Sequence, residues 1–251
     1  MLLRPKKMKF LNRVFIGLCK FIYAPLFRRA ARQTLKGRLF DSAEPNKGRW
    51  FESDIKEYLS QVWARTNALM PAADLDGLPT YGNRHNVFLA VVTTAAYQVM
   101  IERGVPTGHA NAIVGDLGWK IYSWMLTNVS IPFRIFVRHP GRRMEKTLRA
   151  LMVFPFNAPG APGYEVSVWT EGFNTFTHWT HCPPQTFVRR LIEENGDQGE
   201  LDAFYNSWCL YDWPGADILA NDGQHGHYIR KQTLSKGDSV CDMCWRGCTE
   251  A

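Results

Sequence analysis

The first 38 residues contain no aspartate or glutamate. They carry eleven cations, Arg4, Lys6, Lys7, Lys9, Arg13, Lys20, Arg28, Arg29, Arg32, Lys36 and Arg38, against a net charge of +7, so the other 213 residues sit at −4. The positive charge belongs to one arm. Also missing is an unbroken apolar run of the roughly 20 residues that a bilayer span needs. The stretch 10–27 is apolar, but Arg13 and Lys20 interrupt it and Pro25 lies near its end. A cation near the bilayer centre costs about 2.5–3.5 kcal/mol, so the segment reads as surface-lying rather than spanning. No A-x-A cleavage site follows it, which argues against a secretory signal. The expectation is a cytoplasmic chain, with peripheral membrane contact through residues 1–38 left open. Zinc-finger spacing, an RNP-like aromatic motif and a basic heptad region are lacking as well, so no nucleic-acid partner is expected. The absence of internal repeats argues against a solenoid.

What is present is a globular composition, 45% hydrophobic and 21% charged with 15 Phe, 9 Trp and 9 Tyr, over 251 residues. Such a chain can bury a sizeable core without staples, and whole-chain disorder is excluded. Residues 1–40 form a basic amphipathic arm in which Phe10, Val14, Leu18, Phe21 and Ile22 share one helical face. That face can dock on the body or a partner, or lie on an anionic membrane; organelle targeting fits the composition too. Residues 41–50 are polar and turn-rich and read as a linker, and 51–251 as a single domain, helical over 51–155 and sheet-containing over 164–247. Ser53 and Asn83 are candidate caps for helices ending at Pro71 and Gly104. Thr107 starts a third helix through Trp124, and a fourth runs from about 142 to 154.

Alternation then replaces the helical period. Residues 164–170 and 173–181 form a hairpin turning at Glu171-Gly172. Pro183 and Pro184 open a helix that ends at Gly196, a short helix covers about 199–211, and strands at 227–234 and 239–246 flank the turn SKGD. The fold class is α+β, an N-terminal helical layer followed by a ββααββ antiparallel-sheet region.

Five of the six cysteines, Cys182, Cys209, Cys241, Cys244 and Cys248, fall in the last 70 residues. Cys241-x2-Cys244-x3-Cys248 lacks a matching second pair, and on a strand Cys241 and Cys244 point to opposite faces, which argues against structural zinc. Cys182 closes a strand and precedes a helix start, a position that lowers a thiol's pKa and favours the nucleophilic thiolate. His178, which alternation puts on its face, or His181, His225 or His227, can supply a base. Cys209 and Asp212 lie at i, i+3, so thiol and carboxylate share a helix face.

Together these elements resemble the L-2-amino-thiazoline-4-carboxylic acid hydrolase family. The resemblance rests on Cys182-Pro183 between strand and helix, on Cys209 followed by Asp212, and on Arg230, Thr233, Leu234, Gly237 and Cys241 across the last turn. It is clearest over 164–245; Pro184 and Met243 stand where the family has an aromatic residue. It implies a small-molecule hydrolase that opens a cyclic amidine or related C–N bond in an amino-acid-derived ring, with Cys182, Cys209, Asp212, Cys241 and His178 as the catalytic candidates. Arg230 suits the anchor for a substrate carboxylate because a guanidinium forks onto it, with His227 beside it. No cofactor is required, although Cys182, Cys209 and Cys241 can in principle hold a divalent metal such as zinc that activates water. Two other classes stay open on the same fold, a non-catalytic binding or sensor module and a biosynthetic cyclase or lyase. The oligomeric state is left open.

Overall fold

A computed structural model describes residues 8–247. Arg4, Lys6 and Lys7 of the arm, and Cys248 of the terminal cluster, lie outside the described residues.

Five helices come first: α1 (Phe10–Leu35), α2 (Glu52–Leu69), α3 (Tyr81–Glu102), α4 (Thr107–Phe136) and α5 (Pro140–Val153). The caps fall close to the expected places. Asp54 accepts the Phe51 amide at 2.8 Å, so α2 starts ahead of Ser53. Thr80 Oγ1 accepts from the Asn83 amide at 3.1 Å, so Asn83 sits in the first turn of α3 rather than at its cap. Helix α4 runs past its glycines to Phe136 because they are contact points: the Tyr211 hydroxyl donates to the Gly115 carbonyl at 2.6 Å, and a Cβ on Gly118 would collide with that hydroxyl.

Helix α1 forms as the pattern predicts, but the expected apolar face points outward. Phe10, Val14, Leu18, Phe21 and Ile22 are exposed, while Asn12, Cys19, Tyr23, Phe27, Ala30, Ala31 and Leu35 are buried. The buried side is chosen by fit rather than hydropathy. Ala30 and Ala31 permit close approach, Asn12 donates to Asp76, and the Tyr23 hydroxyl lies 2.8 Å from His85 Nε2. Burying Phe27 and Leu35 contributes about 1.5–3 kcal/mol each. The separation into arm, linker and body is corrected in the same way. Trp50 is 1% exposed, stacks with Phe40 and joins one core with α1, α2, α3 and α4, and Leu39 bridges Arg49. An aromatic side chain anchors a segment that is otherwise mostly polar and turn-rich.

The second half holds β1 (Glu165–Glu171), β2 (Asn174–His181), α6 (Pro183–Asn195), α7 (Glu200–Ser207), α8 (Asp212–Ala220), β3 (Tyr228–Ile229) and β4 (Cys241–Trp245). The sheet is antiparallel in the order β1-β2-β4-β3. Helical layer followed by antiparallel sheet is the α+β class expected. The hairpin turn is Gly172-Phe173, closed by Glu171 opposite Asn174, and Gly172 takes φ +59° there. The predicted helix 199–211 is two pieces, α7 and a 3-10 turn at Cys209–Tyr211, and α8 is an additional helix, so three helices separate the strand pairs. Its start is marked by Pro214 in the first turn, where a missing amide is harmless. The strand expected over 227–234 shrinks to Tyr228–Ile229, because the amides of Lys231 and Gln232 donate to the Asp242 carboxylate at 2.9 and 2.6 Å.

Register decides what faces inward. Trp179 pairs with Cys241 and Thr175 with Trp245 on the buried side, and Phe176 with Cys244 and His178 with Asp242 on the other. Over the buried side pack Leu126 of α4, Met144, Leu148 and Leu151 of α5, and Ala216 and Leu219 of α8.

Candidate functional site

Between the helical layer and the sheet lies a cavity of about 310 Å³, within the usual range for small-molecule sites. Cys182 and Gln185 enter from the start of α6, Ser207 from the end of α7, Cys209 and Asp212 from the turn into α8, Ser235 from the 3-10 turn after β3, and Cys241 from β4. Tyr23, Phe27, Leu117, Ile121, Met125 and Phe154 line it from the helical layer. One end is polar and the rest is aliphatic and aromatic.

Asp212 is the one acidic group in this wall and no Lys or Arg lines it, among the described residues. Its Oδ2 accepts from the Tyr228 hydroxyl and from Arg230 Nη1, each at 3.1 Å, and 14% of the side chain stays accessible. Burial raises its carboxyl to about 6; the Arg230 charge and the Tyr228 hydrogen bond pull the other way without cancelling it. A carboxyl poised there can accept or donate a proton near neutrality.

Burial also governs the thiols. It pushes Cys182 well above the ordinary range, against a weaker pull from the Gln185 amide. It pushes Cys209 up to about 12, opposed by the Ser235 hydroxyl at 3.2 Å and by Arg230. Cys241 is raised as well, although Thr233 and the Leu234 amide hydrogen-bond to its sulfur. The thiolate expected at Cys182 is thus corrected: desolvation outweighs the start of α6. Nor do Cys182, Cys209 and Cys241 form a metal set, since among the described residues no three His, Cys, Asp or Glu side chains are grouped to hold an ion.

The histidines fall elsewhere. His178 lies on the outer sheet face, edge-on to Trp169 at 4.6 Å, because alternation puts it opposite Trp179. His181 bonds the Gly163 carbonyl at 2.6 Å and Thr186, and the exposed ring of His225 pairs with Asp217. The ring of His227 is fully buried behind α8, Nδ1 on the Arg246 carbonyl and Nε2 on Asp222, which leaves no ring nitrogen for a substrate. Arg230 is likewise corrected as an anchor. Its side chain is 2% exposed, bound to Asp212 and set over the Trp213 ring at 4.6 Å, and it supports the carboxyl from behind.

No family model, curated protein or solved structure matches the chain. The chemistry of the cavity must come from its own residues.

Sequence reasoning missed one part of the wall. His85 on α3 places Nε2 2.8 Å from the Tyr23 hydroxyl and Nδ1 2.9 Å from Asn86 Oδ1, and Asn86 Nδ2 donates to the Tyr164 hydroxyl at 2.9 Å. Burial lowers the pKa of His85, with the Asn86 bond opposing. All four residues line the cavity. The available signal was the polar pair His85-Asn86 inside an otherwise apolar helical pattern.

Proposed function

We propose that the protein is a small-molecule hydrolase that adds water to a cyclic amidine or a related carbon–heteroatom centre, with Asp212 as the proton-transferring group. The observation that carries the reading is the arrival of Cys182, Cys209, Asp212 and Cys241, the side chains grouped by the resemblance to the L-2-amino-thiazoline-4-carboxylic acid hydrolases, in one cavity around a buried carboxyl poised near 6.

In this mechanism the amidinium of the substrate faces the Asp212 carboxylate. Asp212 takes a proton from the attacking water, the water oxygen bonds to the amidine carbon, the ring bond from that carbon to nitrogen or sulfur breaks, and the proton passes to the departing heteroatom. Arg230 and Tyr228 hold Oδ2 and orient the carboxyl. The thiols, protonated at neutral pH by burial, shape the polar end and do not attack. A carboxylate-bearing ring has no Lys or Arg among the described residues of the wall to receive it, so the reading favours an apolar body over the amino-acid-derived ring that the resemblance implies.

The test is incubation of the protein with L-2-amino-thiazoline-4-carboxylate and with 2-benzylamino-2-thiazoline, followed by mass spectrometry for a product heavier by one water. Turnover of the benzyl compound that disappears in Asp212→Asn and survives in Cys182→Ser supports the mechanism. Loss in Cys182→Ser would restore a thiol nucleophile. Displacement of a bound fluorophore such as N-phenyl-1-naphthylamine without any product would make the cavity a binding module.

A further inference from the structure

Eighteen large apolar side chains are exposed among the described residues, and thirteen of them lie on three elements: α1, α4 and the end of α5. On α1 they are Phe10, Leu11, Val14, Leu18, Phe21 and Ile22; on α4, Trp124, Val129, Ile131, Ile135 and Phe136; after them come Val153 and Phe154. Phe21 is 78% exposed and Phe136 82%. Scattered apolar residues need no explanation, but a concentration of this kind on neighbouring elements marks an interaction surface.

The same elements frame the way into the cavity. Of the described residues lining it, only Val129 and Phe154 are exposed, and both belong to this set. Tyr23, one residue from Ile22, ties them together: its hydroxyl contacts Met125 of α4 at 3.4 Å and His85, whose ring lies 5.5 Å from that of Phe154.

Charge distinguishes the occupant. Residues 8–40 hold no acidic residue, and neither do residues 117–144, which carry the exposed Lys120, Arg138 and Arg142. Along α1 the outward face changes character at Pro25. Heptad spacing takes Phe21 to Arg28, Ile22 to Arg29 and Leu18 through Pro25 to Arg32, so the apolar part, roughly 22 Å long at about 1.5 Å per residue, ends in a cationic turn. On α5, the exposed Arg142, Lys146 and Arg149 follow one helical face toward Val153. Arg32 pairs with Glu52 and Arg149 with Glu145, whereas Arg28, Arg29, Arg142 and Lys146 have no acidic partner among the described residues. Apolar side chains flanked by such unpaired cations match a lipid surface bearing negative headgroups.

We propose that the face made by α1, the C-terminal half of α4 and the end of α5 docks on an anionic membrane, with the mouth of the cavity turned to the lipid. The protein lies on the bilayer rather than across it. By length and hydropathy α1 could cross a membrane, but its other face is built into the core through Cys19, Tyr23, Phe27 and Leu35. The proposal does not depend on the hydrolase reading, because its readouts use no turnover.

The experiment is co-sedimentation of the full chain with phosphatidylcholine vesicles, with and without about 30% phosphatidylserine. The expected result is binding to the anionic vesicles that falls about five-fold in Arg28→Gln and again in Arg29→Gln, as removal of one cation near such a surface requires. Phe21→Ser lowers it about ten-fold or more, the loss expected for one inserted aromatic side chain. These side chains are exposed, so circular dichroism melting should match the parent chain, and Ile229→Ser, on the far sheet edge, should bind as the parent does. An environment-sensitive fluorophore on Val153→Cys should shift to the blue with anionic vesicles, and one on Ile229→Cys should not. Failure of the parent chain to sediment, equal binding of parent and Phe21→Ser, or a dimer in gel filtration that Phe21→Ser splits would overturn the proposal, the last by making the face a contact between two copies.

Discussion

Asp212 offers a measurement that separates two opposing forces. Burial raises its carboxyl from 3.8 to about 6, while Arg230 at 3.1 Å works to lower it. If burial dominates, the folded state binds one more proton than the unfolded state between about pH 4 and 6. Stability then declines as pH rises through that window, because the slope follows the difference in protons bound, unfolded minus folded. A shift of about two units corresponds to about 3 kcal/mol at roughly 1.4 kcal/mol per unit. The perturbation is Asp212→Asn, which keeps the shape and deletes the proton. Urea midpoints for parent and variant at pH 4, 5, 6 and 7.5 give a stability difference in which all other titrating groups cancel. That difference should move by about 2.4 kcal/mol against the parent between the lowest and highest pH, because at pH 4 the unfolded carboxyl is already more than half ionised. A constant difference would mean that the carboxyl is unperturbed; a change in the parent's favour would mean that the ion pair outweighs desolvation, and with it the argument for a proton-transferring group poised near neutrality would fall.

Three further outcomes follow from packing and burial. Cys182, Cys209 and Cys241, with pKa values raised by burial, should react with iodoacetamide at pH 7.5 far more slowly than a free thiol and become labelled in urea; fast labelling of Cys182 in the native protein would return the thiolate. Gly118→Ala drives a methyl group into the Tyr211 hydroxyl and should destabilise by about 1–3 kcal/mol, as overpacking does, which a urea midpoint unchanged from the parent would contradict. Trp50→Ala removes a side chain from the core shared by α1 and α2 and should destabilise by about 3–5 kcal/mol; if 41–50 were instead a detached linker, the midpoint would not move.

The parts of the fold legible in the sequence are those in which one local rule is unopposed. Alternation over 164–181 gives the hairpin to within a residue, and Pro183-Pro184 and Gly196 bracket α6 because proline and glycine act through backbone geometry alone. The resemblance groups Cys182, Cys209, Asp212 and Cys241, and these side chains do share a cavity. What stays hidden depends on three-dimensional competition. Hydropathy favours Phe10 and Phe21 as the docked side of α1, yet the side with Ala30, Ala31 and Tyr23 fits the neighbouring helices. Arg230 looks like a free anchor until the buried carboxyl beside it is seen. His85 and Asn86 sit nearly a hundred residues before Cys182 with no spacing rule to link them. The pKa of Cys182 follows the same pattern: its helix-start position is readable, and the burial that overrides it is not.

The Asp212–Arg230 pair also constrains what the cavity accepts. Arg230 does not line the cavity and its Nη1 is held by Asp212, so a ligand carboxylate that took the place of Asp212 would break a buried ion pair, at a cost of about 3–5 kcal/mol. It would then lie beside a second carboxylate in a wall with no Lys or Arg among the described residues. An amidinium faces the opposite situation. It meets a carboxylate whose Oδ2 is already held by Tyr228 and Arg230, and its positive charge lowers the cost of keeping that carboxylate ionised. On the proposed reading its substituent would extend toward Leu117, Ile121 and Met125, which line the apolar part of the cavity. On the proposed reading, charge would select the head of the ligand and the apolar helical wall its body, and with the proposed membrane docking the exposed Val129 and Phe154 would place the entrance where such a molecule leaves a lipid phase without crossing water.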